Sequence, residues 1–145
     1  DTSNNLYYYT ANGGSSSTSS AIAIPDQTWT HVTYTGDGTD VMIYVNGVLT
    51  DTVSSVVTSS SNSSYKLTLG KNPRNGADAD VKIDELYIFK DKSLTEAEVT
   101  SIYNAGLAGN QLSSAITTTS GAGTYLIDES GVQDQIGTAD GSNIG

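Results

Sequence analysis

Cysteine is absent from the 145-residue chain, and histidine occurs once, at His31. The first absence excludes disulfide staples, thiolate metal sites and cysteine nucleophiles. With a single imidazole among many serines, no Ser-His-Asp set can be argued, and His31, inside a strand next to Trp29, reads as structural. Basic residues are also scarce: six stand against 16 acidic ones, for a net charge of −10 and a pI near 4.1. Such a surface repels phosphate backbones, so nucleic acid is not an expected partner. It suits calcium and solubility at high salt. Charged residues make up only 15% of the chain, against roughly 25% in soluble domains; Ser, Thr, Gly and Asn take their place. No apolar run approaches the roughly 18 residues of a membrane span, so no membrane insertion is expected. No secretory leader is legible, and the opening at Asp1 rather than Met reads as a piece processed or excised from something larger.

The most informative stretch runs from Thr28 to Val53, and it reads as three short strands joined by two turns. Its second turn is Asn46-Gly47, the pair that a type I′ hairpin demands, because both central residues take positive φ. Before it, Val41, Ile43 and Val45 alternate with Met42 and Tyr44; after it come Val48, Leu49 and Val53. Alternation of this kind places one face of each strand in a core. Gly36-Asp37-Gly38 forms the first turn, and Trp29 is expected in the core.

Elsewhere, Leu6 to Thr10 is β-prone and ends at Asn12-Gly13-Gly14, whereas Ser15 to Ser20 reads as a loop. Ala21 to Ile24 is a short strand turned by Pro25-Asp26. Lys66 to Gly70 is another, set between a polar loop and a Gly/Asn/Pro-containing one. Val81 to Phe89 reads as a strong strand, apolar on both faces and therefore covered on two sides. Asp84 shares a face with Leu86 and Ile88 there, which predicts a core carboxylate that accepts backbone N–H groups. The spacing predicts one helix, near residues 93–105. Ser93 is its N-cap, Glu96 closes a capping box, Val99, Ile102 and Tyr103 are buried, and Gly106 is the stop. From Leu107 to Gly123 the chain is small and polar, a linker or loop. Tyr125 to Gly131 is a last strand-like stretch before a Gly- and Asp-rich tail.

One family is similar to this series in order. It shows in Trp29-Thr30-His31-Val32-Thr33-Tyr34, Gly36-Asp37-Gly38, Ile43-Tyr44-Val45-Asn46-Gly47-Val48 and Leu67-Thr68-Leu69-Gly70. It continues through Ile83-Asp84-Glu85-Leu86-Tyr87-Ile88-Phe89, Leu94-Thr95-Glu96-Ala97-Glu98-Val99 and Ile102-Tyr103. The chain resembles the laminin-G-like, concanavalin A-like jelly-roll domains over about Leu6 to Asn104. The resemblance implies an all-β fold, a two-sheet antiparallel jelly-roll sandwich with one short helix. It covers the second half of that module: the opening strands that the family places first are not at the start of this chain. Tyr125-Leu126-Ile127-Asp128-Glu129-Ser130-Gly131, with Asp134 behind it, looks like such an opening. Tandem repeats cut out of phase, a circular permutation and strands supplied by another chain all fit this order. The organisation expected is a jelly-roll region over 1–106, a linker or loop over 107–123, and a segment over 124–145 that completes this or a neighbouring jelly roll. A half sandwich leaves apolar faces and edges open, so completion by the tail or by a neighbouring subunit is expected.

Jelly-roll glucanases that the resemblance brings in use two carboxylates projecting the same way from one strand. Asp78 and Asp80 have that spacing but sit in a Gly/Ala loop without aromatic residues, and the adjacent Asp84 and Glu85 point to opposite faces. No catalytic residue is nominated, and the chain is not expected to be an enzyme. Calcium takes hard oxygen ligands from loops, and some laminin-G-like domains bind it. Asp37, Asp40, Asp78, Asp80 and Asp84 are the candidate donors, although no EF-hand pattern is present; turn formation and solubility explain the same residues. Glycan binding needs an exposed aromatic face with neighbouring polar groups. Tyr7, Tyr8 and Tyr9 are the candidates, with Tyr7 and Tyr9 on one face and Tyr8 on the other, so that part of the triplet is core. Two functions follow as expectations. One is a non-catalytic extracellular recognition or adhesion module that binds a glycan or a protein surface within a larger surface protein. The other is a structural subunit of a virion or cell-surface assembly, completed by neighbouring subunits.

Overall fold

The computed structural model describes residues 5–12, 15–56, 69–70, 80–89, 92–108, 125–128 and 131–134. They form an antiparallel β structure with one helix, the all-β sandwich expected. Its centre is a three-stranded sheet, β5 (Val32–Gly36), β6 (Val41–Val45) and β7 (Val48–Val53), with β6 in the middle. The β6–β7 turn is the expected one: Val45 faces Val48, and Asn46 and Gly47 have φ of 51° and 77°.

β6 is buried from both sides, more than alternation alone predicts. On one face Ile43 packs with Ile22 and Val53, and Leu6, Tyr8, Ile24, Val41, Val45 and Val56 border this cluster. On the other, Tyr44 packs with Leu94, Val99 and Ile102, joined by Met42, Tyr87 and Phe89. A β-bulge makes the first layer possible. Between the Ile43–Asp51 and Tyr44–Leu49 pairs, Thr50 has no opposite residue. That extra residue shifts parity, so Val53 falls opposite Val41 on the apolar face and Asp51 falls opposite Ile43. Asp51 then accepts the Ser20 N–H at 2.8 Å, tying the sheet to the segment above it. Val48 and Leu49, at the other end of β7, are exposed.

Above the first layer lie β1 (Asn5–Leu6) paired with β4 (Ile22–Ala23), and the hairpin β2 (Tyr9–Asn12) with β3 (Ser15–Thr18). The Ser/Thr run expected as a loop is therefore in part a strand. Its residues have low strand propensity, but antiparallel pairing to Tyr9–Asn12 satisfies their backbone, and tertiary context overrides propensity.

Across the second layer lies α1 (Glu96–Leu107). Its N-cap is Thr95, not Ser93, and the capping box is Thr95 with Glu98. Both positions carry the S/T-x-x-E pattern, and packing chooses between them. With Thr95 as cap, Leu94 precedes it and Val99 follows at the fourth helical position, so the two close a hydrophobic staple inside one cluster. Ser93 is thereby freed to approach Thr35, whose buried hydroxyl accepts the Leu94 N–H at 2.7 Å. The helix passes through Gly106 and ends at Ala108, whose N–H bonds back to Asn104 O.

The strand expected over Val81–Phe89 is only β8, Leu86–Ile88. Glu85 lies in the left-handed region, with φ of 55°, and this interrupts the extended chain before it. Among the described residues β8 is also an edge rather than a central strand, in a sheet ordered β10-β9-β8 with β9 (Tyr125–Asp128) and β10 (Gly131–Asp134). The expected strand over Lys66–Gly70 lies largely outside the described residues. Among the described residues no helix is long and apolar enough to cross a membrane.

Candidate functional site

The tyrosine triplet is sorted by one buried serine. Ser19 N–H donates to Tyr8 O at 3.0 Å, and the Tyr8 N–H donates to the Ser19 hydroxyl at 2.9 Å. That hydroxyl donates onward to Ser20 O at 2.9 Å. With Tyr8 held this way, Leu6 and Tyr8 turn into the Ile22–Ile43–Val53 layer. Tyr7 and Tyr9, on the alternate positions, remain 49% and 58% exposed. The structure thus keeps two of the three rings available to a ligand and uses the third as an anchor.

The anchor brings in Tyr34, a residue that sequence reasoning did not nominate. Tyr34 stands opposite Ile43 on β5, and its ring lies 5.9 Å from that of Tyr8 at 40°. Its phenol is partly buried, which pushes its pKa up to about 12. It therefore stays protonated and able to donate a hydrogen bond across the physiological range, while part of its ring remains exposed. The available signal was its place at an odd position of a β5 strand that faces Ile43. Beside Tyr9, the opposite residue on β3 is Thr18, and Ser15, Ser16 and Thr18 are exposed. Aromatic faces bordered by hydroxyls offer stacking to the apolar face of a sugar and hydrogen bonds to its rim.

The acidic candidates that lie among the described residues do not gather. Asp37 Oδ1 accepts the N–H groups of Thr39 and Asp40, both at 2.8 Å, and these bonds hold its carboxyl below the usual range. Asp40 Oδ1 accepts the Ser55 N–H at 2.9 Å, while Val56 N–H donates to Thr39 O at 2.7 Å. These two carboxylates shape the β5–β6 turn and tie down the chain leaving β7. Asp80 is exposed. Asp84 is exposed as well and accepts the Glu85 N–H at 2.9 Å, so it is a surface turn residue and not the core carboxylate expected. Asp78 lies outside the described residues. Among the described residues no three acidic or imidazole groups stand close enough together to hold a metal ion.

His31 sits at the far end of the central sheet. Its N–H donates to Asn46 Oδ1 at 3.0 Å, and its carbonyl accepts the Asn46 N–H at 2.9 Å. Its ring meets that of Tyr103 at 5.6 Å, and its buried Nδ1 has no hydrogen-bond partner. Burial lowers its pKa. Among the described residues no nucleophile or carboxylate is hydrogen-bonded to its ring, and its contacts join the Asn46–Gly47 turn to α1. Gly47 completes that joint: a Cβ there would stand 2.8 Å from Tyr103 Cδ1. Trp29, expected in the core, is 68% exposed. It lies on the turn-rich segment after Pro25, where Gln27 has φ of 51° and short Asp26 and Thr28 bonds curl the backbone outward before β5 begins.

A family profile described as the concanavalin A-like lectin/glucanases superfamily, of laminin-G type, matches residues 1–100. No curated protein and no solved structure matches the chain.

Proposed function

The chain belongs to the laminin-G-type group of the concanavalin A-like lectin/glucanases superfamily, and on that premise we propose that it is a non-catalytic, extracellular recognition module whose ligand is a glycan. The observation that carries this reading is the sorting of the tyrosines. Tyr8 is spent on the core and on Tyr34, while Tyr7 and Tyr9 are held outward, Tyr9 opposite Thr18 of β3. An outward tyrosine costs a folded protein apolar exposure, and a flat, half-wet ring is what sugar stacking uses. The acidic surface, with net charge −10, disfavours sulfated or sialylated ligands through like-charge repulsion and favours neutral sugars.

A glycan array probed with the whole chain, followed by calorimetric titration of its best neutral ligand, tests the proposal. Replacing Tyr7 and Tyr9 together by Ala is expected to weaken binding at least about tenfold, since each stacked ring contributes on the order of 1 kcal/mol. The thermal unfolding midpoint should stay unchanged. Absence of any glycan ligand, or equal affinity in the double variant, would overturn it.

A second reading, a structural subunit of a virion or cell-surface assembly, is favoured by the pairing of β9 with β8. That strand comes from beyond the matched residues 1–100.

A further inference from the structure

The C-terminal hairpin is attached to the rest of the fold through an edge. β8 pairs with β9 in antiparallel register, Leu86 opposite Ile127, Tyr87 opposite Leu126 and Ile88 opposite Tyr125. β9 pairs in turn with β10, also antiparallel, with Val132 opposite Ile127. We infer that β9–β10 is an exchangeable strand donor and β8 its acceptor, so that a second copy of this chain is the partner this edge fits.

Three observations carry the inference. First, the acceptor is built by residues other than the donor. Tyr87 and Phe89 pack against the Tyr44–Leu94–Val99–Ile102 cluster. Ahead of the strand, Glu85 with φ of 55° sets where pairing starts, and its carboxylate accepts the Tyr87 hydroxyl at 2.6 Å. Second, the donor stands apart along the chain. Its strands begin at Tyr125, beyond residues 1–100 matched by the family, and residues 109–124 separate it from Ala108 at the end of α1. Third, chain length does not dictate which copy is served. Sixteen intervening residues reach at most roughly 55 Å, whereas a chain of this size has a radius of gyration of about 15 Å. The neighbouring copy's β8 therefore lies within reach.

The ladder hydrogen bonds are the same within one chain and between two, so effective concentration decides. Pairing within one chain does not depend on protein concentration, whereas pairing between copies rises with it, so the hairpin closes on its own chain when dilute. When copies are crowded, as in an array, it closes on a neighbour and links the copies by reciprocal or sequential exchange. This does not depend on glycan recognition.

The cysteine-free chain gives a clean test. In both kinds of antiparallel pair, opposite Cα atoms lie about 4.5–5.5 Å apart, within disulfide reach. Full-length Leu86→Cys and full-length Ile127→Cys are mixed at millimolar concentration and oxidised. The control pairs Leu86→Cys with Ser54→Cys, on an exposed position. The doubly substituted chain, oxidised at micromolar concentration, reports closure within one molecule. Ile88→Cys with Tyr125→Cys repeats the design should the first pair perturb folding. The inference expects a monomeric intrachain disulfide in the dilute double variant, and a crosslinked mixed dimer at least about tenfold above control in the crowded mixture. Intrachain closure with no mixed dimer above control would overturn exchange. Failure of both double variants to close would overturn the pairing itself. Glycan titration of the uncrosslinked chain reads the recognition proposal separately.

Discussion

His31 shows how much one residue's neighbours decide. Its backbone grips Asn46, its ring lies on Tyr103, and its Nδ1 is buried without a partner. Burial disfavours the imidazolium, so the folded state binds its proton less readily than the unfolded chain does. A lowered folded pKa means that its contribution is fully present above the unfolded value, near 6.5. It declines as pH falls through 6.5 towards the folded value, and levels off below that. Urea denaturation of the wild type and of His31→Gln between pH 7.5 and about pH 5 should show it. The wild type loses stability faster than the variant across this window, and parallel curves would disprove the assignment. Trp29 teaches the converse lesson. Its size and its place ahead of a strand suggest a core residue, yet the turn after Pro25 leaves it 68% exposed. The backbone path, not hydrophobicity, decided its fate.

At the scale of elements, the helix start is the clearest case of two equal local signals. Ser93 and Thr95 each stand three residues before a glutamate. Thr95 wins because it allows Leu94 to staple onto Val99, and because Glu98 also meets Lys92 at 2.7 Å. That ion pair and the Thr95 bonds lower the Glu98 pKa, although the pair is partly exposed and its own contribution small. Thr95→Ala should therefore cost about 1 kcal/mol, the usual value of a lost N-cap. Ser93→Ala should cost less, because it removes no cap and the Thr35 hydroxyl keeps its bonds with the Leu94 backbone. Denaturant midpoints at constant slope compare the two, and equal losses would return the cap to Ser93. The β7 bulge belongs at this scale too. Without Thr50 as an unpaired residue, Thr52 rather than Val53 would face the apolar layer.

For the whole molecule, the central fact is that one strand serves two apolar layers. Ile43 is fully buried in one, and Tyr44, its neighbour, in the other. The layers cannot melt independently while they share β6. Ile43→Ala should cost about 2–5 kcal/mol through lost burial and the cavity left behind. The loss should appear as one cooperative transition in both far-ultraviolet circular dichroism and tyrosine fluorescence. Two transitions, one per probe, would show that the layers unfold separately.

The residues on their own determined the β5–β6–β7 meander, its Asn46–Gly47 turn, the split of Tyr7 and Tyr9 from Tyr8 onto opposite faces and the existence of the helix. Each follows from alternation, positive-φ chemistry or helical spacing, which act over a few residues. Pairing and packing between distant segments decided the rest. They made a strand of Ser15–Thr18, shortened β8 at Glu85, set Tyr34 against Tyr8, and used Asp37 and Asp40 to tie turns. They also returned Tyr125–Asp128 to β8. A local pattern states which face a side chain prefers, but only the partner segment supplies the hydrogen bonds and apolar contacts that make one choice the lowest in free energy.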